Sequence, residues 1–233
     1  FDLVVLPEHD RTFLADKSAK VLYAKIAPNL ITPQYIHDQA KHLSLKFPSL
    51  QHKPQVTVGL LLGGDSKKFF ISPLAAKRIM DQIKEVVSSL NGRLLLTTSR
   101  RTSAEAEAVI KESLEGFNRC PFSVMPSEHS VPEAVGGILG LSDVVVVSSD
   151  SISMVSEAVS SGKKVIVLKA EKRTPARRCK HDIFVGNLEA GGHIFLAEPQ
   201  EIGALIVRVV KENLTTKPIY QDDFVLNAAR NII

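Results

Sequence analysis

The run Ser148-Ser149-Asp150-Ser151-Ile152-Ser153-Met154-Val155-Ser156-Glu157 is the densest set of anion-holding groups in the chain. It follows an all-valine stretch at 144–147, and its spacing predicts a helix that begins at Ser151. The first amides of a helix lack partners within it and lie at the positive end of its dipole, a setting that suits a diphosphate. Ser149, Asp150, Ser151 and Ser153 are the candidates at that end. Ile152, Val155 and Val159 share the i, i+3, i+7 face that a sheet would bury, whereas Ser153, Glu157 and Ser160 fall on another stripe. Glu157 can therefore face a cleft and accept two hydroxyl hydrogen bonds, which is what a ribose offers. The same residues allow a plainer arrangement, with Asp150 or Ser151 as helix cap and Glu157 as a surface charge.

Three further polar segments stand where strands should end. Gly63-Gly64-Asp65-Ser66 has paired glycines that let backbone amides approach a phosphate or sugar closely, with Ser66 beside them. It lacks both the Gly-Lys-Ser/Thr of a P-loop and the G-x-G-x-x-G of a dinucleotide site. Thr98-Ser99-Arg100-Arg101-Thr102 offers hydroxyls and a guanidinium fork for phosphate. The two arginines point apart, so only one is expected to face the ligand, and Ser99 with Arg100 is the chosen pair. Residues 125–130 form the third such segment. Near the start, Pro7-Glu8-His9-Asp10 ends another strand, and His9 or Asp10 is the candidate base for an acceptor hydroxyl. Strand alternation sends His9 to the opposite side from Glu8 and Asp10, so no metal site is expected there. No Asp-x-Asp motif or metal-ligand spacing appears, and neither a metal nor a cofactor is expected.

These segments need a scaffold that brings strand ends together. Strands are predicted at 1–6, 56–62, 93–98, 122–125, 143–147 and 164–168. Helices are predicted at 35–47, 73–90, 104–114, 132–139, 151–160 and 200–213. Ser72 caps the second helix and Pro73 opens it. Continuous apolar strands alternating with helices indicate a doubly wound, Rossmann-like α/β sheet, parallel and covered on both faces. In such a sheet ligands lie beyond the carboxyl ends of the strands. Residues 1–54 read as the remnant of a preceding Rossmann-like domain plus linker, 55–215 as the binding domain, and 216–233 as a tail helix returning to the first domain.

The bulk numbers narrow the function. At 233 residues, 44% apolar and 23% charged, the chain is ordinary for a globular protein. Apolar runs such as 144–147 are far too short to cross a bilayer. The start at Phe1 lacks the basic flank of a signal peptide, and suggests a chain that opens partway into a domain. Two cysteines without C-x-x-C spacing favour a reducing, cytoplasmic setting. Basic residues crowd into Lys172, Arg173, Arg177, Arg178 and Lys180, a candidate for peripheral membrane contact, while aromatics amount to 6%. Basic residues interleaved with aromatics are absent, so nucleic acid is not an expected partner.

Gly63-Gly64-Asp65-Ser66, Thr98-Ser99-Arg100-Arg101-Thr102 and Asp150-Ser151-Ile152-Ser153-Met154-Val155-Ser156-Glu157-Ala158 together resemble the bacterial and plant ELM-type family, which is named for a plant mitochondrial-fission factor. Pro7-Glu8-His9-Asp10 matches that family's early strand-end motif. The resemblance implies a two-domain, GT-B-type glycosyltransferase fold, of which this chain holds the C-terminal half. Val155-Ser156-Glu157 is also similar to a Val-Ser-Glu run in the peptidoglycan-building N-acetylglucosaminyltransferase. That likeness implies that Glu157 binds ribose, that Ser151 and Ser153 lie near the diphosphate, and that Gly63-Gly64 faces the donor. The function so implied is a metal-independent transferase using a UDP- or GDP-sugar and an unknown acceptor. The alternatives are a non-catalytic adaptor that recruits a dynamin-type partner, and a sugar-nucleotide epimerase.

Overall fold

The computed structural model describes residues 4–8, 21–174 and 179–220. Six parallel strands form the central sheet: β3 (Thr57–Leu61), β5 (Arg93–Thr97), β6 (Phe122–Val124), β7 (Val144–Ser148), β8 (Lys164–Leu168) and β10 (Phe195–Ala197). Their order across the sheet is β6-β5-β3-β7-β8-β10, so the chain runs outward from β3 to one edge and then returns to build the other half. This is the doubly wound order, and its direction reverses between β3 and β7. Register brings Leu61 level with Thr97 on one side and Val147 on the other, so both chains leave the sheet side by side.

Strand residues alternate between two apolar layers, as a sheet covered on both faces requires. Leu60, Leu96, Val146 and Ile166 pack against α2 (Pro73–Ser89), α3 (Ala104–Leu114) and α7 (Ile202–Lys211). Leu61, Leu95, Val145 and Val167 pack against α4 (Ala134–Leu141), α5 (Ile152–Ser160) and α6 (Lys180–Ala190). The helix starts are chemically marked. Ser72 accepts the Ala75 N–H with Pro73 following it, Ser103 accepts that of Ala106, and Ser151 accepts that of Met154. Asn91, with φ of +48°, ends α2 in the left-handed conformation that asparagine tolerates.

Helix α1 (Pro33–Lys46) does not behave as part of a linker. Its Ile36 and Leu43 enter the second apolar layer, and it lies along α4. Gly137 and Gly140 make that approach feasible, because a Cβ at Gly140 would stand 2.3 Å from the Ile36 carbonyl oxygen. Ahead of it, β1 (Val4–Pro7) and β2 (Val21–Ala24) pair in parallel as a separate two-stranded sheet. A short antiparallel ribbon, β4 (Phe69–Phe70) with β9 (Glu171–Lys172), joins the loop after β3 to the loop after β8. Of the tail expected as a helix, residues 216–220 are irregular and 221–233 lie outside the described residues. No described helix is long and apolar enough to cross a membrane.

Replacing Gly140 with alanine is expected to lower stability by about 1–3 kcal/mol, since backbone must move to admit the methyl. Gly186→Ala in α6, where a Cβ meets nothing within 4 Å, should instead stabilise by about 0.5–1 kcal/mol. Urea denaturation of both variants checks this, and equal effects at the two sites would contradict the packing of α1 on α4.

Candidate functional site

At the reversal point the chain segments after β3 and β7 are stitched together by one carboxylate. Asp150 has a fully buried side chain. Its Oδ2 accepts the Gly64 N–H at 2.9 Å and its Oδ1 accepts the Ser148 hydroxyl at 2.6 Å. Ser148 Oγ in turn accepts the Gly63 N–H at 2.7 Å. Arg101 Nη2 stands 3.5 Å from Oδ2. Burial pushes the Asp150 carboxyl above its usual range, against the opposing pull of Ser148, Gly64 and Arg101.

This arrangement revises the part expected of the glycine pair. Gly63 and Gly64 do permit a close approach, but of the protein's own atoms. A Cβ on Gly63 would lie 2.1 Å from Asp150 Oδ1, and one on Gly64 would lie 2.1 Å from the Arg101 carbonyl carbon. Their amides, and that of Asp65, which donates to Arg101 O at 2.7 Å, all end on internal acceptors. Asp150 likewise faces inward as a brace, not outward towards a ligand.

Other hydroxyls are also committed locally. Ser66 Oγ accepts the amides of Lys68 and Phe69, and Ser99 Oγ accepts that of Arg101. Ser149 Oγ accepts the Ala170 N–H at 2.9 Å. Thr102 donates to Gly63 O at 2.6 Å, tying the loop after β5 to the loop after β3. Of the two arginines, Arg101 leans on Asp150 and on the Asp65 carbonyl. Arg100 is exposed and makes no hydrogen bond or ion pair with the described residues.

What stays open lies on α5. The amides of Ser151, Ile152 and Ser153 find no acceptor among the described residues. Ser153 is exposed, and Glu157 stands one turn further along the same stripe, half-buried. The Glu157 carboxylate has no hydrogen bond or ion pair among the described residues, and burial alone raises its pKa above the usual glutamate range. A half-buried carboxylate without a donor is costly unless a ligand supplies one.

The polar side of α5 is also anchored, through the serines beside that stripe. Ser156 Oγ accepts the Ala27 N–H at 3.0 Å, and Ser160 Oγ accepts from Asn29 Nδ2 at 3.2 Å while donating to Ile219 O at 3.1 Å. The segment leading in from β2 and the segment running towards the C-terminus thus meet on one helix. His9 and Asp10 lie outside the described residues.

Sequence reasoning missed a small cavity of about 150 Å³ beside Ser149, between β10 and α6, lined by Phe69, Lys169, His181, Asp182 and Leu196. The one local clue was Asp182 three residues after Cys179, where the carboxylate accepts the Cys179 N–H at 2.7 Å and caps α6. No group of three or more His, Cys, Asp or Glu that could hold a metal occurs among the described residues.

Known proteins resemble this chain along most of its length. The model of the family described as Mitochondrial fission ELM1 matches residues 1–223. An uncharacterized protein of Rickettsia prowazekii (strain Madrid E) is 24% identical over 211 residues, covering 81% of this chain. The mitochondrial fission protein ELM1 of Arabidopsis thaliana is 29% identical over 190 residues, covering 73% of this chain. The chain spans about half the length of these relatives, 58% of the first and 43% of the second. Among solved structures, that of trehalose-6-phosphate from E. coli bound with UDP-2-fluoro glucose superposes with a TM-score of 0.47 at 12% identity, over 90% of this chain and 53% of that one. The glycosyltransferase SnogD from Streptomyces nogalater gives 0.44 at 13% identity, over 89% and 46%.

Because burial raises the Glu157 pKa, the folded state holds that proton more tightly than the unfolded chain. Its contribution to stability is therefore present at low pH and is lost as the pH climbs above the usual glutamate value of about 4.3. Glu157→Gln should accordingly melt higher than the parent at neutral pH, with the gap closing in acid. Thermal denaturation across this range checks the sign, and a lower melting point at neutral pH would contradict it.

Proposed function

We propose that this chain, which belongs to the mitochondrial fission ELM1 family, binds the nucleoside diphosphate portion of a UDP- or GDP-sugar at the N-terminal end of α5. The observation that carries this reading is the pairing on one helix of unengaged donors and an unengaged acceptor. The amides of Ser151, Ile152 and Ser153 have no acceptor, and the Glu157 carboxylate one turn below has no donor. A ribosyl diphosphate is complementary to both. Its phosphate oxygens accept from helix-end amides aided by the dipole, and two ribose hydroxyls donate to a carboxylate. Arg100, exposed and without an ion pair among the described residues, is the cation for the phosphates.

Asp150, Ser148 and the glycine pair are then the brace beneath the site. Asp150 keeps its charge away from the phosphates through its bonds to Gly64, Ser148 and Arg101. With the leaving diphosphate stabilised by a helix end and a guanidinium, glycosyl transfer to an acceptor hydroxyl is the reaction this arrangement supports without a metal. In this reading the chain is the donor half of a two-domain transferase, and His9 or Asp10 is its candidate base. A second reading, an adaptor that presents the same surface to a protein partner, draws on the name of the Arabidopsis relative.

Calorimetric titration with UDP and GDP tests the first reading. Glu157→Gln should weaken binding at least tenfold and Arg100→Gln by about tenfold, the magnitude of hydrogen bonds to charged groups. Binding should also weaken on acidification, beginning above the usual glutamate value of about 4.3, because the acceptor must be ionised. Unchanged affinity in the folded Glu157→Gln protein would overturn the ribose assignment, and no binding of either nucleotide would favour the adaptor.

A further inference from the structure

At the amino ends of β3, β5 and β6, on the edge of the sheet opposite α5's open end, lies a cavity of about 450 Å³. Lys53, Arg93, Arg119, His52, Asn91 and Asn118 help to line it, and no aspartate or glutamate does. Arg93 is only 6% exposed. Its Nε donates to Thr57 Oγ1 at 3.1 Å, and its Nη1 donates to the carbonyl oxygens of Leu50 at 2.9 Å and His52 at 2.6 Å. Arg119 Nη1 is held by Asn91 Oδ1 at 3.0 Å and by Gly92 O at 3.2 Å. In each guanidinium, Nη2 has no hydrogen-bond partner among the described residues.

Neither arginine has a carboxylate within ion-pair distance among the described residues. Asp143 acts on Arg93 only from further away, and its own carboxylate accepts the Thr57 N–H at 2.8 Å. A guanidinium buried without a counter-charge is an unfavourable arrangement that a bound anion corrects. The oxygens that hold Nη1 fix both guanidinium groups in place before any ligand arrives, so little side-chain entropy is lost on binding.

We propose that this cavity is a second ligand site, for the phosphate group of a phosphomonoester, with Arg93, Arg119 and Lys53 supplying the positive charge. The open Nη2 of Arg93, the open side of the Arg119 guanidinium and the Lys53 ammonium match a dianion with several acceptor oxygens better than a single carboxylate. The remaining volume, with the amides of Asn91 and Asn118, accommodates the hydroxyls of a small esterified alcohol such as glycerol. Strands five residues long separate this site from α5 by roughly 15 Å, so both sites can be filled at once. The phosphate can belong to a soluble ester or to a lipid headgroup.

The test titrates the whole chain with glycerol 3-phosphate in a calorimeter, and in parallel sediments it with phosphatidylcholine vesicles with or without phosphatidic acid. We expect saturable binding of at least one phosphate probe, weakened about tenfold or more in Arg119→Gln and in Lys53→Gln. Arg93→Gln is avoided because its side chain supports the fold. Binding should be unaffected by saturating UDP and unchanged in Glu157→Gln, which separates it from the nucleotide reading. The probe that binds names the source of the phosphate. Binding of neither probe, binding retained in the Lys53→Gln/Arg119→Gln double variant, or competition by UDP would overturn the proposal.

Discussion

A single buried carboxylate holds the reversal point of the sheet together. In a doubly wound sheet the chains leaving β3 and β7 diverge, and their backbone amides would be left without partners at the crevice between them. Asp150 closes that gap by accepting from Gly64 and Ser148, and Ser148 passes the connection on to Gly63. Only glycine fits at 63, because any Cβ would occupy the space of the carboxylate. The loop after β5 is then drawn in through Thr102 and Arg101. Three of the polar strand ends become one rigid floor, and the helix that starts beyond Asp150 inherits a fixed position.

That helix, α5, divides its polar residues between two jobs. Ser156 and Ser160 face the segments that enter from β2 and leave after α7, and their hydroxyls are engaged by Ala27, Asn29 and Ile219. Ser153 and Glu157, on the adjoining part of the same polar side, are engaged by nothing among the described residues. Anchored serines beside open groups are the arrangement expected of an element that must present a ligand site without moving. The small ribbon of β4 with β9 adds to the rigidity beside it, since Arg173 bridges to Asp65 Oδ2 at 2.7 Å and to Ser66 O at 3.0 Å.

Much of the architecture was legible because its signals are local. Ser72 with Pro73 marked the start of α2 to the residue, and the valine-rich strands announced a sheet covered on both faces. Thr32 with Pro33 is an equally clear start for α1, which sequence reading nonetheless began two residues late at 35. Strands β2, β4, β9 and β10 are two to four residues long, too short to leave a periodic pattern. Helix α6 was obscured by the basic run before it and by Gly186 and Asn187, weak helix formers inside it. Within the site, polar character at the strand ends was readable, but the division between engaged and open groups was not. That division depends on partners 85 and 86 residues apart, as in Gly63 with Ser148 and Gly64 with Asp150. Residue type alone did not show that the glycine pair and Asp150 are bonded to one another's segments.

The most direct test of the α5 site is a crystal structure of this chain with UDP or GDP bound. We expect phosphate oxygens within hydrogen-bond distance of the amides of residues 151–153, and both ribose hydroxyls on the Glu157 carboxylate. A nucleotide seated elsewhere, with Glu157 facing only solvent, would contradict the assignment.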